Sequence, residues 1–97
     1  MKGEPLEIRH VFVEGRVQGV GYRDFARRTA RRLAVQGWTR NRTDGTVEVL
    51  AVASAASLEA FLADLRQGPG LVLGLRVAGI DALEGDPPQN FMIRPTL

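Results

Sequence analysis

At Tyr22 the sequence changes period. Before it, Glu7-Ile8-Arg9-His10-Val11-Phe12-Val13-Glu14 is dominated by β-branched and aromatic residues, the composition of a strand. After it, Tyr22, Phe25, Ala26, Thr29, Ala30 and Leu33 recur at i, i+3, i+4, i+7, i+8 and i+11, which lays one apolar stripe along a helix and leaves the arginines on its other side. A chain that passes so quickly from strand to amphipathic helix has to bury that stripe against a sheet. Gly37 is expected to stop the helix, in the left-handed position that glycine favours.

The pattern then repeats. Trp38-Thr39-Arg40-Asn41-Arg42 reads as a short strand with Arg40 and Arg42 on one side, Thr43-Asp44-Gly45-Thr46 as a tight turn around an Asp-Gly pair, and residues 47–52 as the returning antiparallel strand. Ser54 is a fair N-cap for a second helix, where Leu58, Phe61, Leu62 and Leu65 form another stripe before Gly68-Pro69-Gly70 ends it. A strand from about Leu75 to Leu83, a loop over residues 85–89 and a last strand over residues 90–94, stopped by Pro95, complete the reading. The order strand, helix, strand, strand, helix, strand, strand makes two right-handed crossovers joined by a hairpin. That is an α/β (α+β) sandwich of the ferredoxin-like kind, a split βαβ with a mostly antiparallel sheet and two helices on one face. Phe25, Leu33, Phe61, Leu62 and Leu65 are expected to hold the layer between, at roughly 1.5 to 3 kcal/mol for each large apolar side chain buried.

At 97 residues the chain reads as one domain, 1–97, and its 44% hydrophobic and 25% charged content is that of an ordinary globular protein. It has no cysteine and a single histidine, His10, so neither disulfide chemistry nor a nitrogen and sulfur metal site is expected. With no signal-peptide core and no apolar run near the roughly 20 residues that span a bilayer, a monomer in the cytoplasm, free of the membrane, is the expectation. Charge is unevenly spread. Residues 1–45 hold ten basic and five acidic side chains, residues 46–97 three and six, so the first part would draw in an anion or a nucleic acid. For Arg27, Arg28, Arg31 and Arg32 the plainer reading is a solvated helix face.

Between the first strand and the first helix stand Gly15, Gly19 and Gly21. Glycines there let backbone N–H groups converge on one cluster of oxygens, with no side chains in the way. The spacing matches neither the nucleotide-binding loop that ends in Gly-Lys-Ser/Thr nor the Gly-x-Gly-x-x-Gly dinucleotide fingerprint. Arg23, at the helix start, could grip a phosphate with both prongs of its guanidinium, or could simply pair with Asp24 or Glu14.

Gly15-Arg16-Val17-Gln18-Gly19-Val20-Gly21-Tyr22-Arg23, followed by Gly37-Trp38-Thr39-Arg40-Asn41-Arg42-Thr43-Asp44-Gly45-Thr46-Val47-Glu48, resembles the two signature motifs of the acylphosphatase family. The likeness is strong over residues 11–52, weaker through the second helix and faint from Leu71 apart from Phe91-x-Ile93. Tyr22 stands where the family often has Phe, Thr39 where Val is common, and the stretch 71–79 departs further. The resemblance implies the same ferredoxin-like fold and the hydrolysis of small acyl phosphates to carboxylate and inorganic phosphate, without cofactor or metal. Phosphate would be both product and inhibitor. By position it makes Arg23 and Asn41 catalytic and assigns phosphate binding to Gly15, Arg16, Val17, Gln18, Gly19, Val20 and Gly21. The chemistry is consistent with these residues, because the departing carboxylate has a conjugate acid of pKa near 4 to 5 and leaves without a general acid. Without the motifs, Asn41 reads as a strand-end residue satisfying the Asp-Gly turn. Two rival functions stand beside this one: a non-catalytic phosphate-sensing or regulatory domain, and a single-stranded RNA-binding module. The latter needs stacking aromatics on the open sheet face, and residues 45–52 have none, so no nucleic acid partner is expected.

Overall fold

The computed structural model describes residues 4–97. Leu6–Arg16 forms β1, Tyr22–Arg32 α1, Gln36–Asn41 β2, Val47–Ser54 β3, Ala55–Arg66 α2, Leu71–Ile80 β4 and Met92–Ile93 β5. The strands lie in the order β4-β1-β3-β2-β5. β1 runs antiparallel to β3 and β4, β2 antiparallel to β3, and β5 parallel to β2. α1 thus joins β1 to β2 across the intervening β3, and α2 joins β3 to β4 across β1. This is the ferredoxin-like sandwich that the element order implies.

Side-chain alternation sorts the two faces of the sheet. Val11 lies opposite Val49 and Val13 opposite Val47, and all four are fully buried in one core with Tyr22, Ala26 and Ala30 of α1 and Leu58, Phe61 and Leu65 of α2. Phe91 meets Phe61 edge-on in this layer, with ring centroids 5.8 Å apart. Phe25, Leu33 and Leu62, expected in the core, pack only partly buried against it, while Tyr22 and Phe91 are fully buried. On the opposite face β3 carries no aromatic ring, but its neighbours do. Phe12 of β1 lies under the guanidiniums of Arg42 and Arg76, and Trp38 of β2 under those of Arg40 and Arg94.

Three boundaries differ from the reading of the sequence. Gly37 does not end α1. The helix stops at Arg32, and Ala34 takes the left-handed position, φ 58°, with Val35 N–H donating to Ala30 O (2.8 Å) and Ala34 N–H to Arg31 O (3.4 Å). These two bonds are the paired closure usual around a glycine, here built on alanine. Gly37 lies inside β2 opposite Ala51, where any Cβ would overlap the Leu50 carbonyl. β4 covers Leu71–Ile80 rather than residues 75–83, because β1 continues to Arg16 through a bulge at Glu14/Gly15 and offers a partner along that whole length. The last strand keeps only Met92 and Ile93, matched to Trp38 and Thr39.

Candidate active site

The end of β1 and the start of α1 converge on the turn at residues 17–21. Gly19 and Gly21 have φ of 76° and 80°, a region that L side chains rarely enter. Gly21 is the N-cap of α1 and offers no side chain to its first N–H groups. None of the backbone N–H groups of Val17 through Gly21 donates to a protein acceptor among the described residues. Unclaimed amides that run onto a helix N-terminus concentrate positive partial charge where α1 begins.

The seven loop positions differ in where they face. Val17, Gly19 and Gly21 line a cleft of about 190 Å³ together with Tyr22, Arg23, Asp24, Asn41 and Ile93. Gly15 and Arg16 belong to β1, opposite Val72 and Leu71, and Gly15 presses on the Leu71 carbonyl. Gln18 turns toward the hairpin, its Nε2 donating to Arg42 O and Thr46 O, each at 2.8 Å. Val20, 41% exposed, lies against Gly70. Larger hollows of about 460 and 400 Å³ lie beside Phe91 and over Trp38, without Arg23 or Asn41. Convergent polar groups, more than size, distinguish the small cleft.

Arg23 is half-buried and forms no ion pair among the described residues. The two candidate carboxylates, Asp24 and Glu14, are occupied elsewhere. Asp24 is bonded by Arg27 and by Arg28 (2.9 Å), and these hydrogen bonds hold its carboxyl below the ordinary value. Glu14 pairs with Arg76 at 3.5 Å. The remaining helix arginines are also used locally, Arg32 on Asp64 (2.8 Å) and Arg31 on the Phe91 carbonyl (3.2 Å).

Asn41 is the last residue of β2, opposite Val47. Its Oδ1 is buried without a partner, and no other side-chain polar atom among the described residues is in that state. The adjoining turn closes without it. Thr46 gives both its N–H (3.0 Å) and its hydroxyl (2.7 Å) to Asp44, Arg42 N–H donates to Thr46 O (2.9 Å), and Gly45 N–H to Arg42 O (3.1 Å). An acceptor left bare in a protein interior costs roughly 1 to 3 kcal/mol, so this one awaits a donor from outside the chain.

Behind β2, on the far side of the sheet, lies Glu48, only 4% exposed. Burial pushes its carboxyl pKa up. The hydrogen bonds from Arg40, His10 and Arg42 outweigh that effect and bring it down to about 2. A carboxylate can only accept, so His10 Nε2 is the donor in the 2.6 Å contact.

Several residues have supporting roles that no local signal in the sequence marks. Tyr22 donates its hydroxyl to Leu65 O at 2.6 Å, tying the first residue of α1 to the end of α2, and burial pushes that phenol's pKa up. Gly68 lies flat against the Tyr22 and Phe25 rings, and a Cβ on Gly70 would overlap the Arg16 carbonyl, so the link from α2 to β4 cradles the glycine loop. Ile93 reaches the cleft only because β5 pairs with β2. No group of three His, Cys, Asp or Glu side chains able to hold a metal occurs among the described residues. No helix among them is long and apolar enough to cross a membrane.

Fold and cleft together describe a ferredoxin-like protein with an anion-receptive turn facing an unpartnered amide. The family model for acylphosphatases matches residues 9–93. An acylphosphatase of Cupriavidus pinatubonensis (strain JMP 134 / LMG 1197) is 43% identical over 93 residues, 95% of this chain and 100% of that one. One from Rhodopseudomonas palustris (strain BisB18) is 41% identical over 95 residues, 93% of this chain and 96% of that one. The crystal structure of acylphosphatase from Bacillus subtilis has a TM-score of 0.83 at 36% identity, over 93% of this chain and 99% of that one. The chain belongs to the acylphosphatase family, and its reaction is the hydrolysis of acyl phosphates.

Proposed function

We propose that the free amides of residues 17–21, the N-terminus of α1 and Arg23 hold the phosphoryl oxygens of a small acyl phosphate, and that Asn41 orients the attacking water. The observation that carries this reading is the bare, buried Oδ1 of Asn41 in the same cleft as Arg23. Oδ1 accepts a hydrogen bond from water and fixes it in line with the bond to be broken, without adding negative charge beside the phosphate. Water oxygen bonds to phosphorus as the phosphorus–acyl oxygen bond breaks. The acyl group leaves as its carboxylate, and the water's protons remain with the phosphate product or pass to solvent. Charge spread over the equatorial oxygens in a loose transition state is met by preorganised donors. Asp24, neutralised by Arg27 and Arg28, does little to repel the substrate.

No general acid and no metal are required for such a leaving group. The reading therefore includes undiminished turnover in the presence of a chelator and competitive inhibition by inorganic phosphate. It also includes a single domain acting as a cytoplasmic monomer, to which a chain without cysteine is suited. Steady-state kinetics on benzoyl phosphate tests the roles. Asn41→Ala should lose turnover by about 10²- to 10³-fold, with phosphate inhibition unchanged. Arg23→Lys should weaken both turnover and phosphate binding, since an ammonium cannot reproduce a two-pronged grip. Full turnover by Asn41→Ala would refute the water-orienting role, and phosphate binding without turnover by the parent protein would leave a phosphate sensor instead.

A further inference from the structure

Asn41 is the last residue of β2, where the regular ladders give way to the turn. β5 pairs only with Trp38 and Thr39; beyond them that edge is held by Leu97, whose N–H donates to Asn41 O (3.1 Å) and whose carbonyl accepts from Thr43 N–H (3.2 Å). On the other side the pair with Val47 is the last in the register, followed by Arg42 N–H to Thr46 O at 2.9 Å. An amide that must aim a water needs firmer support than a strand end provides. Side-chain support is added from the opposite face. Arg40 and Arg42, the two neighbours of Asn41, both donate to the same atom, Glu48 Oε1, at 2.7 and 2.8 Å, while Oε2 is held by His10 at 2.6 Å. Thr39 ties the same stretch to the Glu48 carbonyl at 3.0 Å. Glu48 stands on β3, the central strand, with β1 and β2 on either side.

We propose that Glu48 is a positioning residue for the hydrolysis: from behind the sheet it fastens the residues on both sides of Asn41, Arg40 and Arg42, and so holds the Asn41 amide aimed into the cleft. Stability gives little reason to keep a carboxylate in this place, because buried ion clusters often yield no net stability over apolar side chains of similar size. The gain lies in the rigidity of the two residues that bracket Asn41. The inference rests on the role of Asn41 given above.

The test is a double-mutant cycle read by kcat, KM and the inhibition constant of inorganic phosphate. Glu48→Gln loses charge and symmetry at the tether. Its kcat should fall by between about 10- and 100-fold, while the phosphate inhibition constant stays within about twofold, because phosphate is held by the loop and Arg23. In an Asn41→Ala background the same substitution should leave kcat where Asn41→Ala alone put it, since a residue that works only through Asn41 has nothing left to position. Additive losses, or phosphate inhibition weakening in step with kcat, would make Glu48 a general structural residue and overturn the proposal. Parental kcat in Glu48→Gln with an impaired Asn41→Ala would sink this inference alone. Parental kcat in Asn41→Ala would sink the reading beneath it. Should Glu48→Gln fail to fold, Arg40→Met removes one arm of the tether, leaves Glu48 two partners, and is subject to the same cycle and the same refutations.

Discussion

Two neighbouring residues at the hairpin show how little of a side chain's work is written beside it. Gln18 belongs to the glycine loop, yet its amide serves the hairpin, bonding the two carbonyls that flank the turn after Asn41. It thereby ties the glycine loop to the hairpin that follows Asn41. Gln18→Ala should cost about 0.5 to 1.5 kcal/mol in stability, as each carbonyl loses its second donor and keeps the backbone one, Gly45 N–H on Arg42 O and Arg42 N–H on Thr46 O. It should also raise KM and lower kcat together, since both halves of the site then drift; denaturant melts paired with steady-state kinetics measure the two effects. Asn41 shows the converse. Its role is implied by the resemblance of two motifs, and the plainer alternative, an Asn spent on closing the Asp-Gly turn, does not hold because Asp44 and the backbone close that turn themselves.

Among the elements, the end of α1 carries a strain that can be relieved. Ala34 is exposed and left-handed, with φ 58°, in a motif that favours glycine. Ala34→Gly should stabilise the protein by about 0.5 to 1 kcal/mol, the relief being partly offset by the extra freedom of glycine in the unfolded chain. Thermal melting should show a rise of a few degrees. Gly70→Ala should act in the opposite sense. A Cβ there drives into the Arg16 carbonyl and displaces the loop it supports, so both melting temperature and phosphate affinity should fall. An unchanged affinity would show that the link from α2 to β4 does not shape the cradle.

At the scale of the molecule, ligand and proton linkage both report on the site. Phosphate that binds the folded chain alone stabilises it by about 2.7 kcal/mol at a hundred times its dissociation constant, which calorimetry would read as a clear rise in melting temperature. Failure of phosphate to shift the melt would argue against an anion cradle at residues 17–21. Acid should undo the cluster behind the sheet. The Glu48 carboxyl lies at about 2 in the fold against an ordinary 4.5, so its contribution is complete above pH 4.5 and disappears as pH falls toward 2. The difference corresponds to about 3 kcal/mol. Glu48→Gln should flatten the fall in stability through that window; a variant with the parental acid profile would show that other carboxylates set it.

The features that repeat locally were determined by the sequence alone. Period fixed the two helices and most of the sheet, and an Asp-Gly pair fixed the hairpin, because backbone preference and side-chain alternation act between near neighbours; the glycine loop, Arg23 and Asn41 stood out as a site through the resemblance of two motifs to those of a family. Tertiary structure decided whatever depended on an approach from elsewhere in the chain. Gly37 has no work as a helix stop and is required by the Leu50 carbonyl of the next strand. β4 begins at Leu71 because β1 runs on through a bulge to meet it. Glu48 reads as an ordinary polar residue of an alternating strand until Arg40, Arg42 and His10 converge on it, and Ile93 enters the cleft by a pairing of two residues. Such contacts join positions far apart in the chain, and no local propensity records them.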